Sequence, residues 1–411
     1  MDIERKIDLI ALPPTEEIIT RDELRTLLET KEHPVAYNGF EPSGLAHLGT
    51  GLITALKVKD LTEAGCKFIL FLADWHAWVN EKFGGDLEKI RKCGEYLKEV
   101  WISLGVDPGK VEFVFGTDVY HQDYWNKVIK IARAMTFHRA MRSLTIAGRR
   151  GLDNLMLYEF GLSMIKKEER EKCPLCGCHV EGLSSKLEEE LGKLHKLGIV
   201  SPKMAMFFYT PMQVADIFHL GVDICQLGID QRRANMLARE IGPALGYWKP
   251  VCVHHHLLMG LQGPRKMGFE EDERLDIEIS SKESKSIPES AIFVHDPPEV
   301  IRSKIYNAYC PERDPRNPVM EIAQYIIMRD GKTPLTVETK KHGELVFEKY
   351  YELEEAYEKG IVHPLDLKIA VSEALIKILE PCRRHFTSSK RAAKLLEFVE
   401  GVVTGKLQEV T

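Results

Sequence analysis

The sequence Tyr37-Asn-Gly-Phe-Glu-Pro-Ser-Gly-Leu-Ala-His-Leu-Gly-Thr-Gly51 starts as a strand and ends where a helix is expected to begin. Pro42, Ser43 and Gly44 form the turn between the two elements. A junction of this kind directs free backbone N–H groups and the positive end of a helix dipole toward a ligand, which favours phosphate. The glycine spacing differs from the dinucleotide-binding fingerprint and from the phosphate-binding loop that ends in Gly-Lys-Ser/Thr. The stretch therefore predicts a nucleotide site in another kind of fold.

Strands and helices alternate around this stretch. Largely apolar runs at residues 66–73, 111–115 and 222–228 are typical of buried strands, and an amphipathic helix is predicted at residues 86–104. The alternation predicts an α/β fold with a Rossmann-like, doubly wound parallel sheet.

Polar residues directly follow two of the predicted strands. Asp74 and His76 follow the run at 66–73, and Asp230-Gln-Arg-Arg233 follows the run at 222–228. Open α/β sheets bind their ligands at the carboxyl ends of the strands, so these residues are pocket candidates.

A polar stripe interrupts an apolar segment at Tyr209, Gln213 and Asp216. Positions i, i+4 and i+7 lie on one face of a helix. The stripe could be a satisfied hydrogen-bond network or the wall of a pocket for a polar small molecule. The neighbouring polar set after residue 228 favours the pocket.

A loop rich in Gly, Lys, Ser and Glu is predicted at residues 263–290, and it includes Lys282-Glu-Ser-Lys-Ser286. Two lysines among small hydroxyl residues could close over a polyphosphate and stabilise charge in a transition state. A solvated linker is the alternative on this stretch alone.

Two groups of residues could suggest a metal. The first group consists of Cys173, Cys176, Cys178 and His179. It can be interpreted as a structural zinc site or as redox-inert or disulfide-capable thiols. The second group, His254-His-His256, makes a poor chelate because neighbouring strand residues point to opposite faces, so packing at a strand end is favoured.

Composition excludes some classes of protein. The chain has 411 residues, 44% of them hydrophobic, enough for two or three domains, and its net charge of -6 does not favour bulk nucleic-acid binding. No apolar run approaches the roughly 20 residues of a membrane span, and the first residues lack the apolar core of a secretory signal. We therefore expect a cytoplasmic protein that does not bind membranes.

Changes in periodicity predict three regions. Residues 1–33 form an N-terminal helical segment, and residues 34–296 form the α/β domain with an insertion at about 151–205. Residues 297–411 form a C-terminal α-helical domain.

Taken together, these motifs resemble the class I aminoacyl-tRNA synthetases, and specifically the archaeal and eukaryotic type of tyrosyl-tRNA synthetase. The resemblance covers about residues 30–386, apart from the insertion and part of 264–279. It rests on Tyr37, Gly39-Phe-Glu-Pro-Ser-Gly44, His47-Leu-Gly-Thr50, Tyr209-x-x-x-Gln213-x-x-Asp216, Asp230-Gln-Arg232, Lys282-Glu-Ser-Lys-Ser286 and His363-Pro-Leu-Asp366. The first signature lacks the family's second His, and the lysine signature has Glu283 where the family has Met.

The resemblance implies a catalytic domain followed by an anticodon-binding domain, and it implies roles for individual residues. The catalytic residues would be His47, Lys282 and Lys285. Tyrosine would be bound by Tyr37, Gly39, Tyr209, Gln213, Asp216 and Gln231. ATP would be bound by Glu41, His47, Gly49, Lys282, Ser284 and Lys285. The tRNA would be bound by Arg142, Arg232, His363 and Asp366.

The implied substrates are L-tyrosine, ATP with Mg²⁺, and tRNA(Tyr). The segment at residues 122–150 resembles the family's dimer-forming region, so a homodimer is expected. A tryptophanyl-tRNA synthetase shares the fold, although Tyr37 and Asp216 favour a phenol. A catalytically inactive tRNA-binding paralogue is the other alternative, because the first signature is altered.

Overall fold

The structure is a computed structural model that describes residues 1–136, 139, 203–265, 273–283 and 288–405. A six-stranded sheet forms its centre, with strand order β1-β6-β5-β2-β3-β4. The strands are β1 (Thr15–Ile19), β2 (Val35–Phe40), β3 (Lys67–Leu72), β4 (Val111–Phe115), β5 (Ile224–Gly228) and β6 (Val251–His255). All neighbours pair in parallel except β1, which runs antiparallel to β6. The predicted doubly wound parallel sheet is confirmed.

The direction of winding reverses between β2 and β5. From β2 the chain runs outward through β3 to β4, and it then returns to place β5 and β6 on the other side of β2. The crossover helices diverge at this point, which leaves a crevice at the carboxyl ends of β2 and β5.

Helices cover both faces of the sheet. They are α1 (Ile3–Ala11), α2 (Arg21–Thr30), α3 (Thr54–Glu63), α4 (Asp74–Val79), α5 (Leu87–Ser103), α6 (Gly116–Val119), α7 (Gln122–Ala134), α8 (Tyr209–His219), α9 (Arg232–Ala244), α10 (Glu273–Ser281), α11 (Pro298–Tyr306), α12 (Pro318–Ile322), α13 (Tyr350–Glu358), α14 (Pro364–Ser388) and α15 (Lys390–Val403). A π-helical turn, Gly49–Ile53, leads directly into α3.

Local sequence explains several of these elements. In β3, every residue from Phe68 to Leu72 is buried, as expected for a parallel strand covered on both faces. Helix α2 begins with a capping box, in which the Thr20 hydroxyl accepts from the Glu23 N–H and the Glu23 carboxylate accepts from the Thr20 N–H.

Three segments differ from their predicted structure. Residues 1–33 contain β1 in addition to helices, because the strand adds to the free edge of β6. Residues 297–411 include a two-stranded hairpin, β7 (Leu335–Thr339) and β8 (Gly343–Phe347), whose first strand alternates buried and exposed residues. Within the predicted lysine loop, α10 ends immediately before Lys282.

The C-terminal helices share a hydrophobic core with the sheet. One continuous cluster of buried side chains extends from Ile7 in α1, through Phe68 in β3 and Trp101 in α5, to Leu375 in α14 and Val399 in α15. In the part of the chain that the structure describes, no helix has the length and apolar character needed to cross a membrane.

Candidate active site

A cleft of about 330 Å³ lies at the carboxyl ends of β2 and β5. Strand β2 leads into it from one side, and β5 with its following turn leads into it from the other. The predicted site residues that line it are Gly39, Glu41, His47, Gly49, Tyr209, Gln231 and Lys282. Residues from distant parts of the sequence therefore meet where the sheet topology predicts a ligand.

Helix α8 carries the predicted polar stripe beside this cleft. Tyr209, Gln213 and Asp216 are all on this one helix and all buried. The Gln213 side-chain amide donates to Gln231 Oε1 at 3.0 Å, and this bond joins the stripe to the turn after β5.

Asp216 is the centre of a buried polar cluster. The Tyr120 hydroxyl donates to its Oδ1 at 2.6 Å, and His76 Nε2 lies 3.5 Å from its Oδ2. Burial raises the pKa of Asp216 to about 8 and lowers the pKa of His76 to about 3. At neutral pH the cluster is therefore largely uncharged, and it can exchange hydrogen bonds with a neutral polar group.

Two of the predicted tyrosine-binding residues each have a buried polar atom that lacks a partner in the part of the chain that the structure describes. Among the described residues, nothing forms a hydrogen bond with the Tyr37 hydroxyl or with Gln213 Oε1. Tyr37 is 1% exposed, and burial raises its pKa, so the hydroxyl keeps its proton. Buried polar groups in folded proteins are nearly always hydrogen-bonded, so these atoms fit a polar ligand that completes them.

Glu41 organises the opposite wall of the cleft. It accepts a hydrogen bond from the Tyr209 hydroxyl and two from the Asn80 amide at 3.2 Å. Lys82 Nζ lies 3.7 Å from Glu41 Oε2. This wall presents oxygen atoms, which suit an ammonium or hydroxyl group of a ligand.

His47 and Gly49 form the end of the cleft at the start of the π-helical turn. Oε2 of Glu283 accepts from the Gly49 N–H at 3.1 Å and lies 2.8 Å from His47 Nδ1. A Cβ at position 49 would lie 3.0 Å from the imidazole, which is closer than ordinary packing, so this position favours glycine.

Lys282 points into the same end. Its ammonium lies 2.6 Å from Asp230 Oδ2. Burial alone would raise the pKa of Asp230, but the Lys282 charge outweighs it and the pKa is lowered. The cleft thus combines an ammonium, an imidazole and a backbone N–H, which are groups that bind phosphate.

Three of the predicted tRNA residues, Arg232, His363 and Asp366, are described by the structure and lie outside the cleft. Arg232, with 42% of its side chain exposed, makes a two-pronged contact with Glu17 at 2.9 and 3.1 Å. It lines a second cavity of about 250 Å³ together with Arg139 and Arg233. His363 caps α14 by accepting from the Leu365 N–H.

Asp366 lies in the first turn of the same helix and is 8% exposed. Several predicted residues lie outside the described residues. They are Arg142, Cys173, Cys176, Cys178, His179, Ser284 and Lys285.

The three histidines at the end of β6 have different partners. His254 contacts Asn235 and Glu17, whereas His255 contacts Gln226 at 2.7 Å. His256 is surrounded by carboxylates. Its Nδ1 lies 3.3 Å from Glu16 and 3.0 Å from Glu278, and its Nε2 lies 3.1 Å from Glu321.

Sequence reasoning did not identify Tyr120, Asn80 or Glu283 as parts of the site. Tyr120 follows the carboxyl end of β4, so the rule that pointed to Asp74 and His76 could have found it. Asn80 and Glu283 carry no comparable signal, because their contacts are made across long stretches of chain.

Comparisons with known proteins agree with this geometry. Residues 29–161 and 201–380 match the model of the family "tRNA synthetases class I (W and Y)". The chain is 41% identical to the tyrosine--tRNA ligase of Sulfurisphaera tokodaii over 409 residues, which are 98% of each chain.

Two solved structures of aminoacyl-tRNA synthetases are similar to this chain. A crystal structure of the tyrosyl-tRNA synthetase of Pyrococcus horikoshii with L-tyrosine covers 97% of this chain and 100% of its own, at 39% identity and a TM-score of 0.79. The tryptophanyl-tRNA synthetase of Aeropyrum pernix covers 93% of this chain and 84% of its own. At 19% identity and a TM-score of 0.54, it shows a shared fold only.

Proposed function

Because this chain belongs to the class I tRNA synthetases for tryptophan and tyrosine and has tyrosine–tRNA ligase activity, we propose that its cleft binds tyrosine and Mg–ATP side by side. The observation that carries this assignment is the Tyr37 hydroxyl, which has no hydrogen-bond partner among the described residues and lies beside the buried Tyr120–Asp216 pair. A phenol hydroxyl placed there would complete both groups. Asp216 uses Oδ1 for Tyr120, which leaves Oδ2 for the substrate.

The amino group of tyrosine would lie at the opposite end of its site. Tyr209, Gln213 and Gln231 supply oxygen atoms there. Gln213 Oε1, which accepts no hydrogen bond from any residue that the structure describes, is suited to an ammonium donor. Gly39 allows the substrate to approach the carboxyl end of β2 closely, since no Cβ projects from it. The substrate carboxylate would then face Gly49 and His47.

The first step would be attack of a tyrosine carboxylate oxygen on the α-phosphorus of Mg–ATP, with pyrophosphate as the leaving group. This chemistry needs no protein nucleophile. Positioning and charge stabilisation would suffice, with Lys282, His47 and the Gly49 N–H around the reacting phosphate. By the family resemblance, Glu41 would contact adenosine, and Ser284 and Lys285 would complete the lysine signature.

In the second step a terminal ribose hydroxyl of tRNA(Tyr) would attack the activated carboxyl carbon and release AMP. Arg232 is suited to the acceptor stem because its side chain is 42% exposed and its guanidinium is oriented by Glu17. It also lines a cavity that contains two further arginines, which suits base edges and phosphates. By the resemblance, Arg142 would act with it. His363 and Asp366 would contact the anticodon.

The organisation of the whole protein follows the same proposal. Residues 34–296 would form the catalytic domain, with the insertion at 151–205, and residues 297–411 would form the anticodon-binding domain after the N-terminal segment 1–33. We also propose a cytoplasmic homodimer. The zinc prediction for the cysteine group stays a prediction, for which elemental analysis of the purified chain is the measurement.

Tyrosine-dependent exchange of pyrophosphate into ATP tests the proposed function. We expect exchange with tyrosine and none above background with tryptophan or phenylalanine. Exchange with tryptophan instead would contradict the tyrosine assignment, and absence of exchange with every amino acid would indicate a tRNA-binding paralogue.

A further inference from the structure

The family resemblance does not account for Glu283, which stands where the lysine signature normally has methionine. Glu283 is 7% exposed. It contacts the two groups at the end of the cleft that are suited to phosphate, namely the Gly49 N–H at 3.1 Å and His47 Nδ1 at 2.8 Å. A negatively charged side chain of the protein thus lies where the proposed function requires a negatively charged substrate.

The backbone around this contact is anchored on both sides. The Glu283 N–H donates to the Leu258 carbonyl at 3.0 Å, and Lys282 pairs with Met259 in an antiparallel bridge. On the other side, His47 forms a bridge with Phe293. The Glu283 contact is therefore supported by backbone hydrogen bonds on both of the strands of chain that meet there.

Lys282, the neighbouring residue, is held in the same way. Its ammonium is bound to Asp230 at 2.6 Å. Two adjacent signature residues are thus both bound to other groups of the protein. The Lys282 ammonium contacts the Asp230 carboxylate, and the Glu283 carboxylate contacts the Gly49 N–H and the His47 imidazole. A polyphosphate would offer oxygen atoms to Lys282 and would compete with Glu283 for the N–H and the imidazole.

We infer that Glu283 is a built-in competitor of ATP, whose carboxylate occupies the donors of His47 and Gly49 until a phosphate group displaces it. The inference rests on the proposed function, since it takes this end of the cleft as the phosphate subsite. A carboxylate and a phosphate oxygen use the same donors, and two like charges do not share them. Glu283 therefore sets the affinity for ATP.

The effect on affinity follows from the fraction of molecules in which the donors are free. If Glu283 occupies them in about nine molecules out of ten, the apparent affinity for ATP is lowered about tenfold. Removing the charge should restore that affinity. The Glu283→Gln variant keeps the shape of the side chain, and Glu283→Met restores the residue usual in the family.

The first measurement is the KM for ATP and for tyrosine in pyrophosphate exchange. We expect both variants to lower the KM for ATP about tenfold and to leave the KM for tyrosine unchanged. Glu289→Gln is the matched control, because Glu289 is exposed in the same segment. An unchanged or raised KM for ATP, with a fall in kcat, would overturn the inference and make Glu283 a residue that positions His47.

The second measurement does not depend on catalysis. Inorganic tripolyphosphate is titrated into the full-length protein by calorimetry, and we expect Glu283→Gln to bind it about tenfold more tightly than the unchanged chain. Equal binding would overturn the inference even if exchange activity is normal. If no variant shows exchange but the tripolyphosphate affinity rises as expected, the inference stands and the proposed function fails. Thermal midpoints verify that each variant is folded.

Discussion

The Tyr120 hydroxyl donates a 2.6 Å hydrogen bond to Asp216 across 96 residues of sequence. The bond occupies one oxygen of the carboxyl group and orients the other. Burial raises the pKa of Asp216 to about 8, so the group is mainly protonated at neutral pH. Recognition of a ligand by this buried cluster would therefore depend on hydrogen bonds between neutral groups.

Discrimination between tyrosine and phenylalanine should depend on Asp216 and Tyr37. We expect Asp216→Ala to lower kcat/KM for tyrosine about a hundredfold or more, since buried polar partners would be left unpaired. Tyr37→Phe removes one neutral hydrogen bond and should cost about tenfold. Both should change phenylalanine activation much less. Asp123→Ala, at an exposed site on α7, is the control; normal tyrosine activation by a folded Asp216→Ala variant would refute the assignment.

Lys282 should act on the chemical step. We expect Lys282→Met to lower kcat for pyrophosphate exchange by about 10²- to 10³-fold, as for the loss of one group that stabilises transition-state charge. The KM for tyrosine should not change, because Lys282 faces the phosphate end. The control is Lys359→Met, whose exposed ammonium pairs with Glu355 on α13. A change confined to the KM for tyrosine would place Lys282 in amino-acid binding instead.

Arg232 should separate the two steps of the reaction. We expect Arg232→Ala to lower kcat/KM for aminoacylation by about ten- to a hundredfold, the range for losing one good base or phosphate contact. Pyrophosphate exchange without tRNA should be unchanged. Arg25→Ala, in which an exposed ion pair with Glu4 is lost from α2, is the control. An equal loss in both assays would mean that Arg232 supports the cleft through Glu17.

His256 should make stability depend on pH. Burial alone would lower its pKa, but contacts with Glu16, Glu278 and Glu321 raise the pKa well above the usual 6.5. Because the pKa of His256 is higher in the folded than in the unfolded state, the protonated side chain contributes its full stabilisation below about pH 6.5. This stabilisation is lost as the pH rises through the folded-state value.

The measurement is chemical denaturation of His256→Gln and of the unchanged chain across this pH range. Near pH 6 we expect the variant to be less stable by about 3–5 kcal/mol, because removing one partner leaves buried carboxylates uncompensated. The difference should narrow as the pH becomes alkaline. His33→Gln, at an exposed position, should show no such trend. A difference that stays constant with pH would assign the effect of His256 to packing.

Local patterns were enough to predict much of the fold. The apolar run in β3 and the stripe on α8 depend on residues close in sequence, and both are confirmed. In contrast, β1 is a short strand containing Glu16 and Glu17. It forms because the edge of β6 is available, and a single sequence does not reveal that edge.

The candidate site shows the same limit. Residues after a strand end or on one helix face could be predicted, because those rules need only neighbouring residues. The contact between His47 and Glu283 spans 236 residues, and it depends on two further long-range pairings, of His47 with Phe293 and of Lys282 with Met259. The sequence showed the unusual glutamate but not its partner.

The continuous core from α1 to α15 has a mechanical consequence. Packed side chains resist compression, so the separation between the cleft and the first turn of α14 is set by close-packed atoms and not by a linker. With a tRNA end in the cleft and the proposed anticodon contact at Asp366, the chain would present two tRNA-binding surfaces at a constant spacing. The protein would then discriminate against RNAs in which the distance between the acceptor end and the anticodon does not match that spacing.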